Sequence, residues 1–510
     1  MLIRASEVFR TVGLPHYTYV KPSRYGEIYL DVESPGKHLL IEGPSGIGKT
    51  CVVYKVFEDL EISDVDFTYI SCRDQDAADK VNEAIELSLA EVAGGHYYFI
   101  DDFHILDASA RHDLGEKLKR ISDSTFKSTD SVKFILVGIP TAGESLLYNA
   151  KDLGPRIGMY KFHTADNDEI GTVIEYGESA LNIEFSDKES IIAESAGNFW
   201  LAQHLCLKIC AQNSILAKQT HKKTANVNII KARNNLLTEL HSKYRDVVIA
   251  FARGKKWRPG GNKPYLDILL SIANRGESVQ TFDAIKSAVD PSKRPGINAV
   301  RKRIPEVIYD KSKGTDLRKQ LFFDADGGSF SIEDPLFLYY LKHLDQDQLY
   351  KELGISAENL KTFDYDIGFS FSGEDRKVVE EINKLLKEED IVTFYDFDHQ
   401  AALLGKNLEV YFESIYSSGC RYYLIFLGDT YREKVWPTLE RNFITKADRK
   451  DHIIPVVLSK SSKTIMLGLP SSIGHIDLSE LHKYSENERG YLKENVVDLI
   501  TEKISSSTAP

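Results

Sequence analysis

The sequence has little cysteine and no long hydrophobic run. Its 510 residues include five cysteines, none of them in a closely spaced framework of pairs. So few thiols exclude a disulfide-stapled extracellular fold and favour a reducing, cytoplasmic location. Cys206 and Cys210 share a helical face without further ligands nearby, which predicts buried thiols rather than a zinc site. No stretch reaches the roughly 20 apolar residues of a membrane span, and the amino terminus lacks a signal-peptide core, so no membrane partner is expected.

Positive charge is also scarce. Lys and Arg number 64 against 76 Asp and Glu, which gives a formal net charge of -12. An acidic chain is a poor candidate for a protein whose main role is to coat nucleic acid, so any positive potential must be local. The hydrophobic fraction of 42% excludes a mainly disordered chain. Because the chain is too long for one hydrophobic core, two or more domains are expected.

Short apolar runs alternate with helical patterns near both ends of the chain. Such alternation predicts an α/β multidomain protein with two parallel sheets, the second of them doubly wound and flavodoxin-like. Between the sheets, helical patterns predict a lid, and a hairpin around Gly327 and Gly328 followed by a helix after Pro335 predicts a winged helix. The predicted divisions are a nucleotide-binding core with an amino-terminal segment at 1–165, a helical lid at 166–244, a winged helix at 245–345, a linker at 346–360 and a last domain at 361–510.

A glycine-rich loop stands between the first strand and the next helix, and it satisfies the P-loop pattern. Backbone N–H groups at a helix N-terminus bind phosphate oxygens, and Lys49 is placed to reach the β and γ phosphates. The Thr50 hydroxyl is a ligand of the type that Mg²⁺ takes in such loops. The loop therefore predicts binding of ATP with Mg²⁺. The predicted ATP-binding residues are Gly43, Pro44, Ser45, Gly46, Ile47, Gly48, Lys49 and Thr50.

Two acids end the third strand, as the P-loop chemistry requires. Asp101 is the predicted carboxylate on the metal side, sharing Mg²⁺ with Thr50, and Asp102 is placed to orient an attacking water. These motifs, with the later pattern FSIEDPLFLYYL, resemble the AAA-type and STAND-type signal-transduction ATPases over about residues 1–345. The resemblance implies an ATPase in which an arginine from a neighbouring subunit or the lid completes the γ-phosphate site, and Arg156 is the candidate. Many hydrolytic relatives have Glu where Asp102 stands, so nucleotide-controlled switching is an alternative to rapid turnover.

The last domain carries several separated motifs. They are YDIGFSFSGEDR from Tyr365, FYD at 394–396, LLGKNL at 403–408, LIFLGDTYREKVWPTLE at 424–440 and IGHIDL at 473–478. In this order they resemble a TIR domain of the bacterial type over residues 361–505. The resemblance implies an NAD⁺ hydrolase that cleaves the bond between nicotinamide and ribose, with ADP-ribose or a cyclised form as product. Glu440, in the pattern Trp-Pro-x-x-Glu, matches the catalytic glutamate.

The residues alone also predict a ligand site at this place, because the crevice of a doubly wound sheet lies beyond the carboxyl ends of its strands. Pro437 suits the first position of a helix, which puts Glu440 about one turn in, where the helix end favours a carboxylate. An ionised carboxylate beside aromatic rings suits a sugar carbon that becomes cationic. A capping glutamate and core aromatic residues are the alternative interpretation. The predicted NAD-binding residues are Ser370, Phe371, Ser372, Arg376, Tyr395, Asp396 and Trp436.

Together the two sites predict an ATP-controlled immune effector that assembles into a homo-oligomer and consumes NAD⁺. In bacteria this architecture implies anti-phage defence by NAD⁺ depletion, with a phage-derived protein or nucleic acid as the trigger. One alternative is a non-enzymatic TIR adaptor assembled by ATP. Another is an ATP-dependent nucleic-acid-binding protein that uses its winged helix. Its basic run, which is equally consistent with a solvated helix face, comprises Lys293, Arg294, Arg301, Lys302 and Arg303.

Overall fold

A computed structural model describes most of the chain. The described residues are 2–74, 76–90, 95–106, 108–124, 132–139, 151–310, 317–325, 327–356, 363–399, 405, 407–431, 440, 442, 450–459, 474–480, 490 and 492–506.

The first parallel sheet lies where the sequence predicts it. Its strands pair in the order β2-β3-β4-β1-β5, all parallel. β1 and β4 are buried along their whole length, which explains their continuous apolar sequence. The last strand begins at Ile157, directly after Arg156. The strands are β1 His38–Glu42, β2 Phe67–Ser71, β3 Tyr97–Asp101, β4 Lys133–Gly138 and β5 Ile157–Lys161.

Helices cover both faces of this sheet, and each face carries its own apolar cluster. Phe57 and Phe99 belong to one cluster, and Leu118 and Phe134 belong to the other. This is the two-sided burial that a parallel sheet needs. The helices on this sheet are Tyr25–Glu33, Lys49–Asp59, Ala77–Leu89 and Ala108–Ser124, whereas the short helix Ala5–Val8 packs in the core of the lid region.

The lid region is helical, but not throughout. Its helices are Asn167–Leu181, Lys188–Ser195, Phe199–Gln212 and Ile229–Arg253, and two short strands, β6 Ile183–Phe185 and β7 Lys223–Ala225, pair in parallel between them. The sequence predicted only helices for this region, and that prediction was therefore wrong for these two strands. Three residues per strand are too few for periodicity to reveal. Cys206 and Cys210 are buried free thiols, as predicted.

The winged helix has the predicted hairpin and following helix. β9 Leu321–Asp324 and β10 Ser329–Ile332 form the hairpin, and β10 also pairs with β8 Val279–Thr281. Gly328 has a φ of 63°, which suits a glycine in the turn. The helices of this region are Pro264–Arg275, Phe282–Ala288, Arg294–Val300, Ile304–Ile308, Pro335–Lys342 and Gln346–Glu352.

Two predicted divisions fall inside folded elements. The 25-residue helix Ile229–Arg253 runs through the boundary at residue 244, because its apolar face continues from Leu240 to Phe251 in one core. Helix Gln346–Glu352 occupies part of the predicted linker and buries Leu349 in the same core. The other domain boundaries stay predictions.

The second parallel sheet has the order β12-β11-β13-β14-β15, which is the doubly wound topology predicted for the last domain. The described helices around it are Arg376–Glu388, Leu408–Ser414 and Asp498–Ser506, with single π-helical turns at Ile415–Gly419 and Lys493–Val497. The strands are β11 Tyr365–Ser370, β12 Thr393–Phe394, β13 Cys420–Leu427, β14 Ile453–Val457 and β15 Ile476–Asp477.

Charged groups join the winged-helix region to the amino-terminal edge of this sheet. Arg258 donates a 3.1 Å hydrogen bond to the Glu389 carboxylate and a second one to the Glu389 carbonyl. The Asn262 N–H donates to the carboxylate of Asp366, at 2.9 Å, near the start of β11. These contacts lie at the edge of the sheet opposite to Ser370, because β11 runs from Tyr365 to Ser370.

The basic run also has internal partners. Lys293 pairs with Asp267 at 2.7 Å, and Arg303 pairs with Asp390 at 2.5 Å. The Arg301 guanidinium lies 5.0 Å from the centre of the Phe282 ring, and Arg294 donates to a backbone carbonyl. Lys293 and Arg303 are therefore engaged in ion pairs within the fold, whereas Arg301 and Lys302 are exposed, and nucleic-acid binding by this run stays a prediction.

Among the described residues, no helix has both the length and the apolar character needed to cross a membrane.

Candidate functional site

The glycine-rich loop follows β1 and leads into helix Lys49–Asp59. Gly46 and Gly48 have φ of 79° and 89°, a backbone region that L side chains rarely adopt. The Lys49 ammonium folds back and donates to the carbonyls of Gly43 at 2.8 Å and of Pro44 at 2.6 Å. Burial lowers the pKa of Lys49, and the negative charges of the strand-end acids oppose that shift. A phosphate group would give this partly buried cation an anionic partner in place of two carbonyls.

Thr50 and Asp101 meet across the sheet. The Thr50 hydroxyl donates to Oδ2 of Asp101 at 3.1 Å, although β4 separates β3 from β1 in the strand order. Burial and the charge of Asp102 raise the pKa of Asp101. A hydroxyl and a carboxylate oxygen are ligands that Mg²⁺ prefers, and a divalent cation would relieve the cost of burying this carboxylate. The pair therefore fits the predicted metal, and its role as ligands stays a prediction.

The second strand-end acid is engaged by a network that the sequence did not reveal. Asp102 accepts a 2.5 Å hydrogen bond from Nε of Arg73, and Nη2 of Arg73 donates to Glu333 at 3.0 Å. His104 Nε2 lies 3.2 Å from the same Glu333 oxygen. Glu333 comes from the winged helix, two residues before Pro335, and its side chain is 1% exposed. A guanidinium between two carboxylates indicates an ion-paired network rather than a metal site.

Burial alone would raise the pKa of Glu333. The neighbouring His104 and Arg73 lower it instead, to about 2. A carboxylate from the winged helix is thus held ionised beside the P-loop unit. This ion-paired network had one signal in the sequence: Arg73 follows the carboxyl end of β2, and His104 follows the carboxyl end of β3.

The lid and the winged helix also touch the glycine-rich loop directly. A Cβ at Gly46 would lie 2.7 Å from the amide nitrogen of Asn198 and 2.7 Å from Cγ of Pro335. Asn198 caps helix Phe199–Gln212 and also donates to the Ser45 carbonyl at 3.4 Å. Ile47, in the same loop, is buried. The loop is therefore enclosed by two other regions of the chain.

Arg156 lies away from the P-loop of its own chain. It precedes β5, and Ile157 pairs with His38 at the start of β1, whereas the glycine-rich loop follows the end of β1. At roughly 3.3 Å per residue, β1 alone separates the two positions by about 16 Å. Arg156 pairs with Asp123 at 2.7 Å. Completion of the γ-phosphate site from within one chain is therefore disfavoured, and a role in a neighbouring subunit stays a prediction.

The second site lies at the carboxyl ends of β11, β12 and β13. Ser370 ends β11, Tyr395 follows β12, and Tyr431 lies shortly after β13. Ser370 Oγ donates to Oε2 of the buried Glu440 at 2.6 Å, and Tyr431 OH lies 2.8 Å from Ser370 Oγ. The carboxylate and the first strand thus meet on the predicted rim.

Glu440 has an unusual electrostatic environment. Burial raises its pKa to about 8, the hydrogen bond from Ser370 acts in the opposite direction, and the charge of Asp396 raises it further. At neutral pH the carboxyl group of the free site is therefore mainly protonated, and it ionises as the pH rises through about 8. Such perturbed groups in a crevice are typical of functional sites.

An aromatic wall with one cation lies at the same carboxyl edge of the sheet, because its residues follow β11 and β12. The rings of Phe371 and Tyr395 stack with centroids 5.7 Å apart. The Arg376 guanidinium lies 5.5 Å from the Phe371 ring and 5.3 Å from the ring of Phe397, and it donates to Tyr395 OH at 3.2 Å. Phe397 is half exposed, so this wall borders on solvent.

Two predicted NAD-binding residues have other partners. Ser370 is fully buried with its hydroxyl between Glu440 and Tyr431. Ser372 is also buried and bonds Glu374 and Thr430, the latter at 2.7 Å. In this conformation both hydroxyls are hydrogen-bonded to other side chains of the protein. Trp436 and Pro437 lie outside the described residues. The residues that the sequence did not single out are Tyr416, Tyr431 and Phe397.

These features define two classes of domain in one chain: a P-loop fold of the AAA type, with lid and winged helix, and a doubly wound sheet with a buried glutamate at its carboxyl edge. Residues 367–492 match the family model described as TIR domain. The chain therefore carries a TIR domain at residues 367–492, after a unit with a P-loop, a lid and a winged helix.

Two curated proteins and many solved structures resemble parts of the chain. It is 33% identical over 121 residues to 3' cyclic ADP-D-ribose synthase AaTIR of Aquimarina amphilecti, which covers 23% of this chain and 36% of that protein. It is 25% identical over 223 residues to the replication factor C small subunit of Methanosarcina acetivorans, covering 41% of this chain and 62% of that protein. The solved structure of Cdc6p from Pyrobaculum aerophilum overlaps 69% of this chain and 100% of its own, at 14% identity and a TM-score of 0.32. The matched part of the chain thus spans about a third of the length of AaTIR and about three fifths of the length of the replication factor C small subunit.

Proposed function

We propose that the TIR domain cleaves NAD⁺ between nicotinamide and ribose, with Glu440 as the catalytic carboxylate. The observation that carries this proposal is the buried Glu440, held at 2.6 Å by Ser370 on the carboxyl rim of a doubly wound sheet. The name of the related AaTIR, a cyclic ADP-ribose synthase, supports the same substrate. The product is ADP-ribose or a cyclised form.

The chemistry follows from charge. When nicotinamide leaves, the ribose carbon becomes cationic, and an ionised carboxylate nearby stabilises that charge. Glu440 must therefore be ionised in the reacting complex. The positively charged nicotinamide ring of NAD⁺ lowers the pKa of a carboxyl group beside it, so substrate binding promotes ionisation. Phe371 and Phe397 offer faces for a flat heterocycle, and Arg376 offers a cation for a phosphate.

Nucleotide at the P-loop controls this activity in our proposal. The loop residues 43–50 bind ATP, and Thr50 with Asp101 holds Mg²⁺, which would neutralise charge on the phosphates. ATP promotes self-association, in which Arg156 of one subunit faces the P-loop of the next. This coupling requires that ATP binds the assembled state better than the isolated chain. Assembly brings TIR domains together, and NAD⁺ depletion in an infected cell is the resulting anti-phage output.

The test is NAD⁺ consumption by the full chain with ATP and Mg²⁺. Glu440→Ala is expected to lower the rate by about a hundredfold to ten-thousandfold, the range for a positioned catalytic group. Glu413→Ala, an exposed glutamate of helix Leu408–Ser414, is the matched control and is expected to retain the wild-type rate. Full activity of the Glu440 variant would contradict the catalytic assignment.

Control by nucleotide is tested on the same protein. Lys49→Ala is expected to abolish ATP binding and ATP-dependent assembly, whereas Lys55→Ala, later in the same helix, is expected to leave both intact. Assembly is measured by light scattering. Unchanged assembly of the Lys49 variant would refute the switch. Wild-type oligomers that leave NAD⁺ intact would favour the adaptor function instead.

A further inference from the structure

Three side chains form a continuous hydrogen-bonded chain inside the TIR domain. Tyr431 OH lies 2.8 Å from Ser370 Oγ, and Ser370 Oγ lies 2.6 Å from Oε2 of Glu440. Tyr431 is 1% exposed and Ser370 is fully buried, so neither hydroxyl faces solvent. The chain links the segment after β13 to the end of β11 and to the carboxyl group.

The protonation of Glu440 decides the direction of these hydrogen bonds. Each hydroxyl has one proton to donate, and an ionised carboxylate accepts only. When Glu440 is ionised, Ser370 must donate to it, and the remaining role of Ser370 is to accept from Tyr431. When Glu440 is protonated, the acid can donate to Ser370 and the order can reverse. Hydrogen bonds that all run in one direction polarise one another, and this strengthens the last bond of the series, here from Ser370 to Glu440.

The other groups that face Glu440 do not set this direction. The Tyr416 hydroxyl has a single proton, and it donates that proton to the carbonyl of Phe369. Asp396 contributes negative charge, which opposes ionisation. Cys420 and Tyr431 are the further groups near Tyr416. Ser370 is therefore the donor whose orientation depends on another side chain, Tyr431.

We propose that Tyr431 is a positioning residue for NAD⁺ cleavage: its hydroxyl donates to Ser370 and thereby makes Ser370 the donor to ionised Glu440. This inference rests on the proposed function, because it concerns the same carboxylate. Tyr431 is linked to the carboxyl group through Ser370 in this series of hydrogen bonds.

The proposal has a definite sign. Without the Tyr431 hydroxyl, Ser370 can accept a hydrogen bond from protonated Glu440. The ionised form of Glu440 is then less strongly stabilised by Ser370. The pKa of Glu440, already raised to about 8 by burial, then rises further. Because the ionised form is the reactive one, the rising limb of the pH profile of kcat moves to higher pH. A shift of roughly 0.5 to 1 pH unit corresponds to one hydrogen bond of ordinary net strength.

The experiment measures kcat and KM for NAD⁺ across the pH range in the full chain. Tyr431→Phe is expected to move the rising limb to higher pH and to leave KM unchanged at high pH. Tyr422→Phe removes a hydroxyl from another buried tyrosine of the same sheet and is expected to keep the wild-type profile. The double variant with Ser370→Ala is expected to match Ser370→Ala alone, because Tyr431 acts through that serine.

A second variant covers the case in which Tyr431→Phe fails to fold. Replacement of Tyr431 by 3-fluorotyrosine keeps the ring and makes the hydroxyl a stronger donor, so the rising limb is expected to move to lower pH.

Failure of the proposed role of Tyr431 can be distinguished from failure of the proposed function. If the wild type cleaves NAD⁺, Glu440→Ala does not, and the Tyr431 variants keep the wild-type profile, the positioning role is wrong and the proposed function stands. If Glu440→Ala cleaves NAD⁺ at the wild-type rate, the proposed function itself is wrong.

Discussion

Substitution of Glu333 by glutamine tests whether charge holds the winged helix against the P-loop unit. Glu333 is buried, accepts from Arg73 at 3.0 Å and lies 3.2 Å from His104. Its pKa of about 2, against an ordinary value of 4.5, corresponds to about 3 kcal/mol of stabilisation at neutral pH. Glutamine keeps the shape of the side chain and removes the charge, so this contribution is expected to be lost.

The loss has a measurable local consequence. If the contact opens about 3 kcal/mol more easily, backbone amides that exchange through that opening do so about 100-fold faster. Hydrogen–deuterium exchange of the nucleotide-free full chain at neutral pH measures this rate for β10 Ser329–Ile332 and helix Pro335–Lys342. The sign of the pH effect follows from the lowered pKa. The stabilisation is complete above about pH 4.5 and is lost as the pH falls toward 2, in the wild type but not in the glutamine variant.

Glu277→Gln is the matched control. Glu277 lies in the same region, beside β8, but its side chain is more than half exposed and pairs with Arg275 at the surface, a contact worth little. Its exchange rates are expected to equal those of the wild type. If Glu333→Gln also exchanges at the wild-type rate in both segments, the ionised carboxylate does not hold this contact and the reasoning is refuted.

Two further predictions concern stability. A Cβ at Gly177 would lie 2.1 Å from the Phe9 ring, so Gly177→Ala is expected to cost about 1 to 3 kcal/mol of unfolding free energy despite the higher helix propensity of alanine. Gly26→Ala, in a helix where a Cβ meets nothing within 4 Å, is expected to stabilise by about 0.5 to 1 kcal/mol, and thermal unfolding that ranks the two variants alike would contradict the packing argument. Arg258→Ala removes a buried guanidinium from the partly buried Glu389 and is expected to cost about 2 kcal/mol in urea unfolding, the range for a hydrogen bond to a charged group. An unchanged unfolding midpoint would show that the pair does not join the two units.

The sequence predicted the local elements well because each depends on neighbours along the chain. The glycine-rich loop lies between β1 and its helix as expected, and the acidic strand end Asp101 meets Thr50. The ten strands that the structure describes in the two parallel sheets follow from apolar runs and from the helical spacing between them. The two short strands β6 and β7 were not predicted, because three residues are too few to show the alternation of apolar and polar residues that indicates a strand.

The candidate sites were predicted in part. The rim of the second sheet brings Glu440 to Ser370 as its topology requires. The role of Ser370 differs from the prediction, because its full burial, which places its hydroxyl between Glu440 and Tyr431, is a property of the assembled core. The basic run shows the same limit: a sequence reports that cations are close together, but not that Lys293 and Arg303 already have carboxylate partners.

Sequence by itself determined which segments become strands and helices, where phosphate-binding backbone and acidic strand ends occur, and that two α/β units stand in one chain. These properties depend on the period of apolar residues and on motifs a few residues long. Tertiary structure alone decided that Glu333 reaches Arg73 and His104 from more than 200 residues away. It also decided that Glu440 is buried enough to carry a proton near neutral pH. The reason is physical: desolvation and charge act through space over a few ångströms, and only the folded chain determines which groups lie within that distance.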